Sequence, residues 1–221
     1  MGKKCRNKRL LNQQFFISCE GECEKYYFER LQELINSNKK RKLNCKIEAK
    51  KKSPKDLALG LGIVKYSLPF MAVRDIEDNS DYHKRVFHEY LSETKECKTD
   101  LHIKTFLVGY SNFTFELWMI LHKRLFEFSI PDRTKYLEYI NSSFKTSFSD
   151  LAEYKKEDNF KALLNTLSLD DVYHAIKNAR ISRDTKKSAF KPISYCGVVY
   201  DSVDPATNID ELVEYILEKC F

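Results

Sequence analysis

The chain has 221 residues, enough for one α/β domain with an extension or for two small domains, and enough to bury a sizeable core without disulfides or metals. Hydrophobic residues make up 43%, which excludes a disordered chain, and no apolar run approaches the roughly 20 residues that a membrane span needs. The formal charge of +6, seven cysteines without a C-x-x-C pair, and a basic N-terminus without an apolar signal segment lead us to expect a cytoplasmic protein with reduced thiols.

Residues 1–13 read as a polar arm carrying Lys3, Lys4, Arg6, Lys8 and Arg9. FFISCEG (15–21) reads as a buried strand ending in a turn at Gly21. From Glu24 the pattern turns helical, with Tyr27, Phe28, Leu31, Leu34 and Ile35 on one face. Glu22 and Glu24 fall in its first turn, where the helix dipole favours acids. A basic turn leads to LNCKIEAK as a second strand, and Ser53-Pro54 opens a helix running to about Ser67. PFMAVRDIED (69–78) is an apolar run that ends in acids, as a buried strand with polar chemistry at its carboxyl end would. A helix over 81–95, a strand in HIKTFLVGYSN and a buried helix over 115–126 follow.

Strands alternating with helices predict a mainly parallel α/β sheet with flanking helices, joined by right-handed crossovers. Ligands bind outside the carboxyl ends of such strands. Three features fall there: Glu20-Gly21, the stretch from Asp75 to Asp78, and Ser111-Asn112. After Phe126 the alternation stops, and residues 127–221 read as a mainly helical extension packed on a 1–126 core. Within it, 141–150 reads as a loop, 160–167 and 170–180 as helices, SRDTKKSAFKP as a linker, and the end as a helix capped by Asn208 or Asp210.

Alternate positions on an extended strand point the same way, so Asp75 and Glu77 are expected to face one site. Clustered carboxylates attract hard cations, and Mg²⁺ or Mn²⁺ suits them, with Asp78 contributing through water. Glu20 reads as a third ligand or as a general acid or base. The alternative for all of these acids is a solvated turn that caps the next helix.

The stretch Lys39–Lys55 holds nine Lys or Arg and one acid, Glu48, which fits phosphate contact or a solvated lysine-rich loop. Lys25 and Arg74 flank the acids and read equally as phosphate contacts or surface ion pairs. Glu116 sits in an apolar helix and needs a partner, at the edge of a site or in a structural pair. His122 reads as a core histidine, and His83 and His88 as solvent-facing. No P-loop, G-x-S-x-G or G-x-G-x-x-G occurs, so any ATP-dependent step must come from a partner.

C-E-G-E-x-E-K-x-Y-F from Cys19, V-x-D-x-E-D from Val73 and S-N-x-x-F-E-L-W-x-x-L-H from Ser111 together resemble the RloB family. The resemblance continues through Tyr154-Lys155, the stretch Ala175–Ala179 and Asp204-Pro205-x-Thr207-Asn208. It implies a Toprim-like fold and a metal-dependent nuclease acting on DNA or RNA. The implied setting is bacterial phage defence or abortive infection, beside a partner ATPase of the ABC or SMC-like type. Glu20, Asp75, Glu77 and Glu116 take the acidic positions, with Glu20, Asp75, Glu77 and Asp78 as implied ligands of Mg²⁺ or Mn²⁺. Lys25, Arg74, Lys50, Lys51 and Lys52 are the expected nucleic-acid contacts.

The pattern departs from the family at Glu77 for the usual aspartate, Phe113 for the usual proline, and Glu24-Lys25 for Thr-Glu. Two other readings stay open: a non-catalytic module that regulates a defence ATPase, and a Toprim-like phosphotransfer enzyme acting on small nucleotides. No membrane partner is expected, and self-association is compatible with the sequence.

Overall fold

A computed structural model describes residues 10–62, 65–78, 80–130, 132–185, 191–201 and 205–221. The basic arm, the middle of the 182–192 linker and Asp204 lie outside the described residues.

Four strands, β1 (Asn12–Cys19), β2 (Asn44–Lys51), β3 (Phe70–Asp75) and β4 (Phe106–Ser111), form one sheet in the order β2-β1-β3-β4. All three pairings are parallel, as the alternation of strand and helix predicts. Side-chain alternation divides each strand between two apolar layers. Phe15, Ile17, Met71 and Val73 join α1 (Glu22–Ser37) on one face. Phe16, Phe70 and Ala72 join α2 (Pro54–Leu61) and α3 (Asp81–Thr99) on the other. With both faces covered, the central strands read as unbroken apolar runs rather than alternating ones.

Local chemistry sets the helix ends. Ser53 Oγ accepts from the Asp56 amide at 3.2 Å and Pro54 opens α2, which stops at Leu61 and not near Ser67. Gly62 there takes a φ of 74°, left-handed backbone that glycine adopts without strain. α1 begins with a capping box: Glu24 Oε2 accepts from the Gly21 amide at 2.9 Å.

Beyond β4 come α4 (Glu116–Leu121), α5 (Tyr136–Phe144), α6 (Leu151–Tyr154), α7 (Glu157–Asn165) and α8 (Leu169–Thr185). A hairpin of β5 (Pro192–Tyr195) and β6 (Val198–Asp201) and a last helix, α9 (Ile209–Cys220), complete the chain. The buried helix expected over 115–126 is thus only six residues long, and α5 runs into the expected loop until Lys145 turns left-handed at φ 56°. The hairpin qualifies the mainly helical reading of this region. Its turn residues Cys196 and Gly197 have φ of 51° and 80°, the signs a two-residue primed turn requires.

Ile209, Leu212, Val213 and Ile216 of α9 bury in the same core as Phe15 and Ile17 of β1. Arg183 of α8 forks onto buried Asp210, both hydrogen bonds at 2.6 Å, tying α8 to α9. No helix among the described residues is long and apolar enough to cross a membrane.

Candidate functional site

β1 connects outward to β2 on one side and has β3 on the other, so the order of strands reverses between β1 and β3. A crevice opens at such a switch point, outside the carboxyl ends. Cys19 is in register with Val73, which sets the residue after β1 beside the end of β3. Glu20 and Asp75 meet there, the Asp75 amide donating to Glu20 Oε2 at 3.1 Å.

Asp75 is 8% exposed. Its Oδ2 accepts from the Phe115 amide at 3.0 Å, while its Oδ1 is buried and meets no hydrogen-bond partner among the described residues. Burial, then the charges of Glu24, Glu20 and Glu116, push its carboxyl well above the usual carboxylate range, against the pull of Arg133. Glu24 is 6% exposed; burial first, then Glu116 and Glu20, push it up to about 7.

Glu116 lies at the start of α4, fully buried. Its Oε1 is 3.1 Å from Lys155 Nζ, and its Oε2 accepts from the Thr114 hydroxyl. It therefore has the partner its setting demands. It also reaches the crevice, because its charge raises both Asp75 and Glu24. The charges of Glu20, Glu24, Asp75 and Glu116, from three segments, thus bear on one another at this end of the sheet, with Lys155 and Arg133 as opposing cations from the second half of the chain.

Glu77 stands apart. β3 ends at Asp75, and Glu77 has a left-handed φ of 52°, so strand alternation does not carry it to the face of Asp75. Its carboxylate lies 3.1 Å from His83 Nε2 and 3.9 Å from Arg133 Nη1. Asp78 faces the other ring nitrogen of His83 at 2.7 Å, and Ser80 with His83 hold its carboxyl down at about 2. His83 is therefore a bridge between two acids rather than a free surface side chain. His88 stacks on Tyr195 with ring centroids 3.9 Å apart, again unlike the solvent-facing reading. His122 is a core histidine: Nδ1 faces the Trp118 carbonyl at 2.9 Å and Nε2 the Tyr27 hydroxyl at 3.2 Å.

Among the basic residues, Arg74 lies over the Tyr90 ring and 3.9 Å from Glu20 Oε1. Lys25 pairs with Glu22 at 2.9 Å and Lys50 with Glu48 at 2.5 Å. Lys51 and Lys52 are exposed at the carboxyl end of β2, where Lys51 is in register with Cys19. They stand on the same edge of the sheet as the acids.

Sequence reasoning missed Glu24 as a member of the crevice, reading it only as a first-turn acid. The available signal was its place three residues after Gly21, where a capping side chain turns back toward the strand end. It also missed Arg133, which follows a loop and carries no pattern of its own.

The donors suit a hard cation in kind, being carboxylate oxygens with one buried oxygen left over. Among the described residues, no group of three or more His, Cys, Asp and Glu side chains stands ready to hold a metal. Mg²⁺ takes one or two carboxylates and keeps several waters, so Asp75 and Glu20 suffice for that mode while Glu77 and Asp78, drawn to His83, lie outside it.

A family model described as RloB-like protein matches residues 15–216. The chain belongs to the RloB-like family. The match spans most of β1, all of the other three strands, the acidic residues and nearly all of the helical region. Membership points to a defence-related protein. No curated protein matches the chain, and no solved structure does.

Proposed function

We propose that this RloB-like protein is a metal-dependent phosphodiester hydrolase acting on DNA or RNA, working as an effector of bacterial phage defence. The observation that carries this reading is Asp75, buried beside Glu20 at the switch point with one oxygen unpartnered among the described residues. Burying a carboxylate with an unmet oxygen costs stability, and such arrangements concentrate where the group is used.

Asp75 and Glu20 would hold Mg²⁺ or Mn²⁺. When bound, a divalent ion polarises a phosphoryl oxygen and makes a nucleophile available near neutral pH. Glu24, raised to about 7, is suited to take or give a proton at the crevice. Lys155 and Arg133 oppose the acidic charge, while Arg74, Lys51 and Lys52 offer cations to a phosphate backbone on the same edge. An ATP-dependent step belongs to a partner ATPase, since the chain has no nucleotide motif.

The test is cleavage of DNA and total RNA with Mg²⁺ or Mn²⁺, wild type against Asp75→Ala, with thermal shift by Mn²⁺ as a second readout. Equal cleavage by both proteins would overturn the reading. The attachment of Glu77 to His83 and Arg133 favours a second reading, a binding module that regulates the partner ATPase. That reading predicts ATPase regulation unaffected by Asp75→Ala.

A further inference from the structure

β4 is an edge strand, and its outer side is only half covered. In the parallel ladder with β3, Thr105 O accepts from the Phe70 amide and Ser111 O from the Ile76 amide, so the odd-numbered residues of β4 face β3. Phe106, Val108 and Tyr110 therefore turn their N–H and C=O outward.

At the carboxyl end the chain closes this edge itself. Asn208 Oδ1 accepts from the Tyr110 amide at 2.7 Å and Nδ2 donates to the Val108 carbonyl at 3.0 Å, a side-chain amide standing in for a strand residue. Thr207 bridges Ser111. At the amino end, no partner meets the outward N–H of Val108 or the N–H and C=O of Phe106 among the described residues. Those groups form the floor of a groove of about 480 Å³. Leu212 and Tyr215 of α9 line one wall, and the Val198–Val199 side of the hairpin lines the other. Val199 is 56% exposed.

The two ends of the groove carry opposite charge. Lys98 lies at the Phe106 end, on the last turn of α3, and Glu211 at the Tyr110 end, on the first turn of α9. Neither takes part in an ion pair within 4 Å among the described residues.

We propose that this groove docks an extended segment of another protein chain, added to the sheet parallel to β4: the open Phe106 C=O and Val108 N–H are the pair that one residue of a parallel strand bridges, while the Val108 C=O that an antiparallel partner needs is taken by Asn208. The open backbone groups select a β-strand, since main-chain hydrogen bonding supplies the affinity in strand addition. The apolar walls select apolar side chains, the open backbone groups set direction, and the end charges set the order of charged residues. An acidic residue near the start of the segment meets Lys98, and a basic residue near its end meets Glu211. This site is separate from the acidic crevice and does not depend on nuclease activity.

The probe is a capped pentapeptide pool with Glu first, Lys last and Val, Ile, Thr or Tyr between, compared with a pool whose end charges are exchanged. Amide hydrogen exchange by NMR reads Phe106 and Val108. In the free protein both amides exchange fast, and the Glu-first pool slows them by about tenfold or more. The exchanged pool binds about tenfold more weakly, and the double variant Lys98→Glu with Glu211→Lys reverses the preference. Val108→Pro removes an outward N–H without touching the ladder to β3 and abolishes protection. If that variant misfolds, Val199→Asp on the exposed wall serves instead. Amides already protected in the free protein, protection that grows with protein concentration alone (a second copy on the edge), or no protection by either pool would each overturn the proposal.

Discussion

Glu20 accepts a hydrogen bond from the backbone amide of Asp75 at 3.1 Å. That bond joins the ends of two neighbouring parallel strands and fixes one carboxylate against the backbone of another. Glu20→Gln keeps an oxygen for the same amide and removes only the charge. Asp75→Asn likewise keeps an acceptor for the Phe115 amide. The two variants separate charge from architecture.

Both variants are expected to fold and to lose metal binding and cleavage together. Wild type with Mn²⁺ at about 100 times its Kd gains about 2.7 kcal/mol, seen as a rise in Tm, and each variant shows none of it. Without metal, Asp75→Asn is expected at least as stable as wild type, because it removes a desolvated charge whose carboxyl already sits well above its ordinary range. A Mn²⁺ shift retained in full by either variant contradicts the assignment.

Glu24→Gln is predicted to stabilise the protein in alkali and not in acid. The folded carboxyl sits at about 7 against an ordinary value of 4.5, so the folded state holds the proton more tightly. Stability is therefore lost as pH rises from 4.5 through 7. Gln keeps an acceptor for the Gly21 amide, and the variant should gain about 1–3 kcal/mol at pH 8 and almost nothing at pH 4. Urea denaturation at the two pH values decides this.

His122 has the opposite sign. Burial lowers it to about 4 from 6.5, so its neutral form supports folding and stability is lost as pH falls from 6.5 toward 4. Tyr27→Phe deletes the group facing Nε2 and should cost about 1–2 kcal/mol at pH 7 with cleavage unchanged. Loss of cleavage at constant stability would move His122 out of the core role.

The parallel sheet and the strand-end position of the acids were legible because burial on both faces writes continuous apolar runs, and FFISC and FMAV are such runs. Glu77 was misplaced because alternation was extended past the true end of β3 into a residue with positive φ. Glu24 was read as a helix acid because membership of the crevice depends on Glu116 and Asp75 arriving from distant segments. The β5–β6 hairpin went unseen because its strands have four residues each and its turn is Cys-Gly, without the Asn-Gly or Asp-Gly signal.

Phe113 tests how tightly the loop before α4 is held. Its φ is 65°, whereas a proline ring holds φ near −65°, so proline does not fit this backbone. Phe113→Pro should cost about 3 kcal/mol or more and disturb the Phe115 amide that holds Asp75. Phe113→Gly relieves the backbone but loses packing against the core, for a net change within about 1 kcal/mol. If Phe113→Pro folds normally, the loop is plastic.

Glu116 and Lys155 decide whether their ion pair serves structure alone. Glu116 is 1% exposed, so Lys155→Met leaves a buried anion held, among the described residues, by the Thr114 hydroxyl alone and should cost about 2–3 kcal/mol. Glu116→Gln removes that anion, and the double variant should recover much of the loss, with a coupling of about 1–3 kcal/mol in denaturation. A purely structural pair would then return cleavage along with stability in the double variant. The charge of Glu116 reaches both Asp75 and Glu24, so we expect the double variant to be stable and inactive.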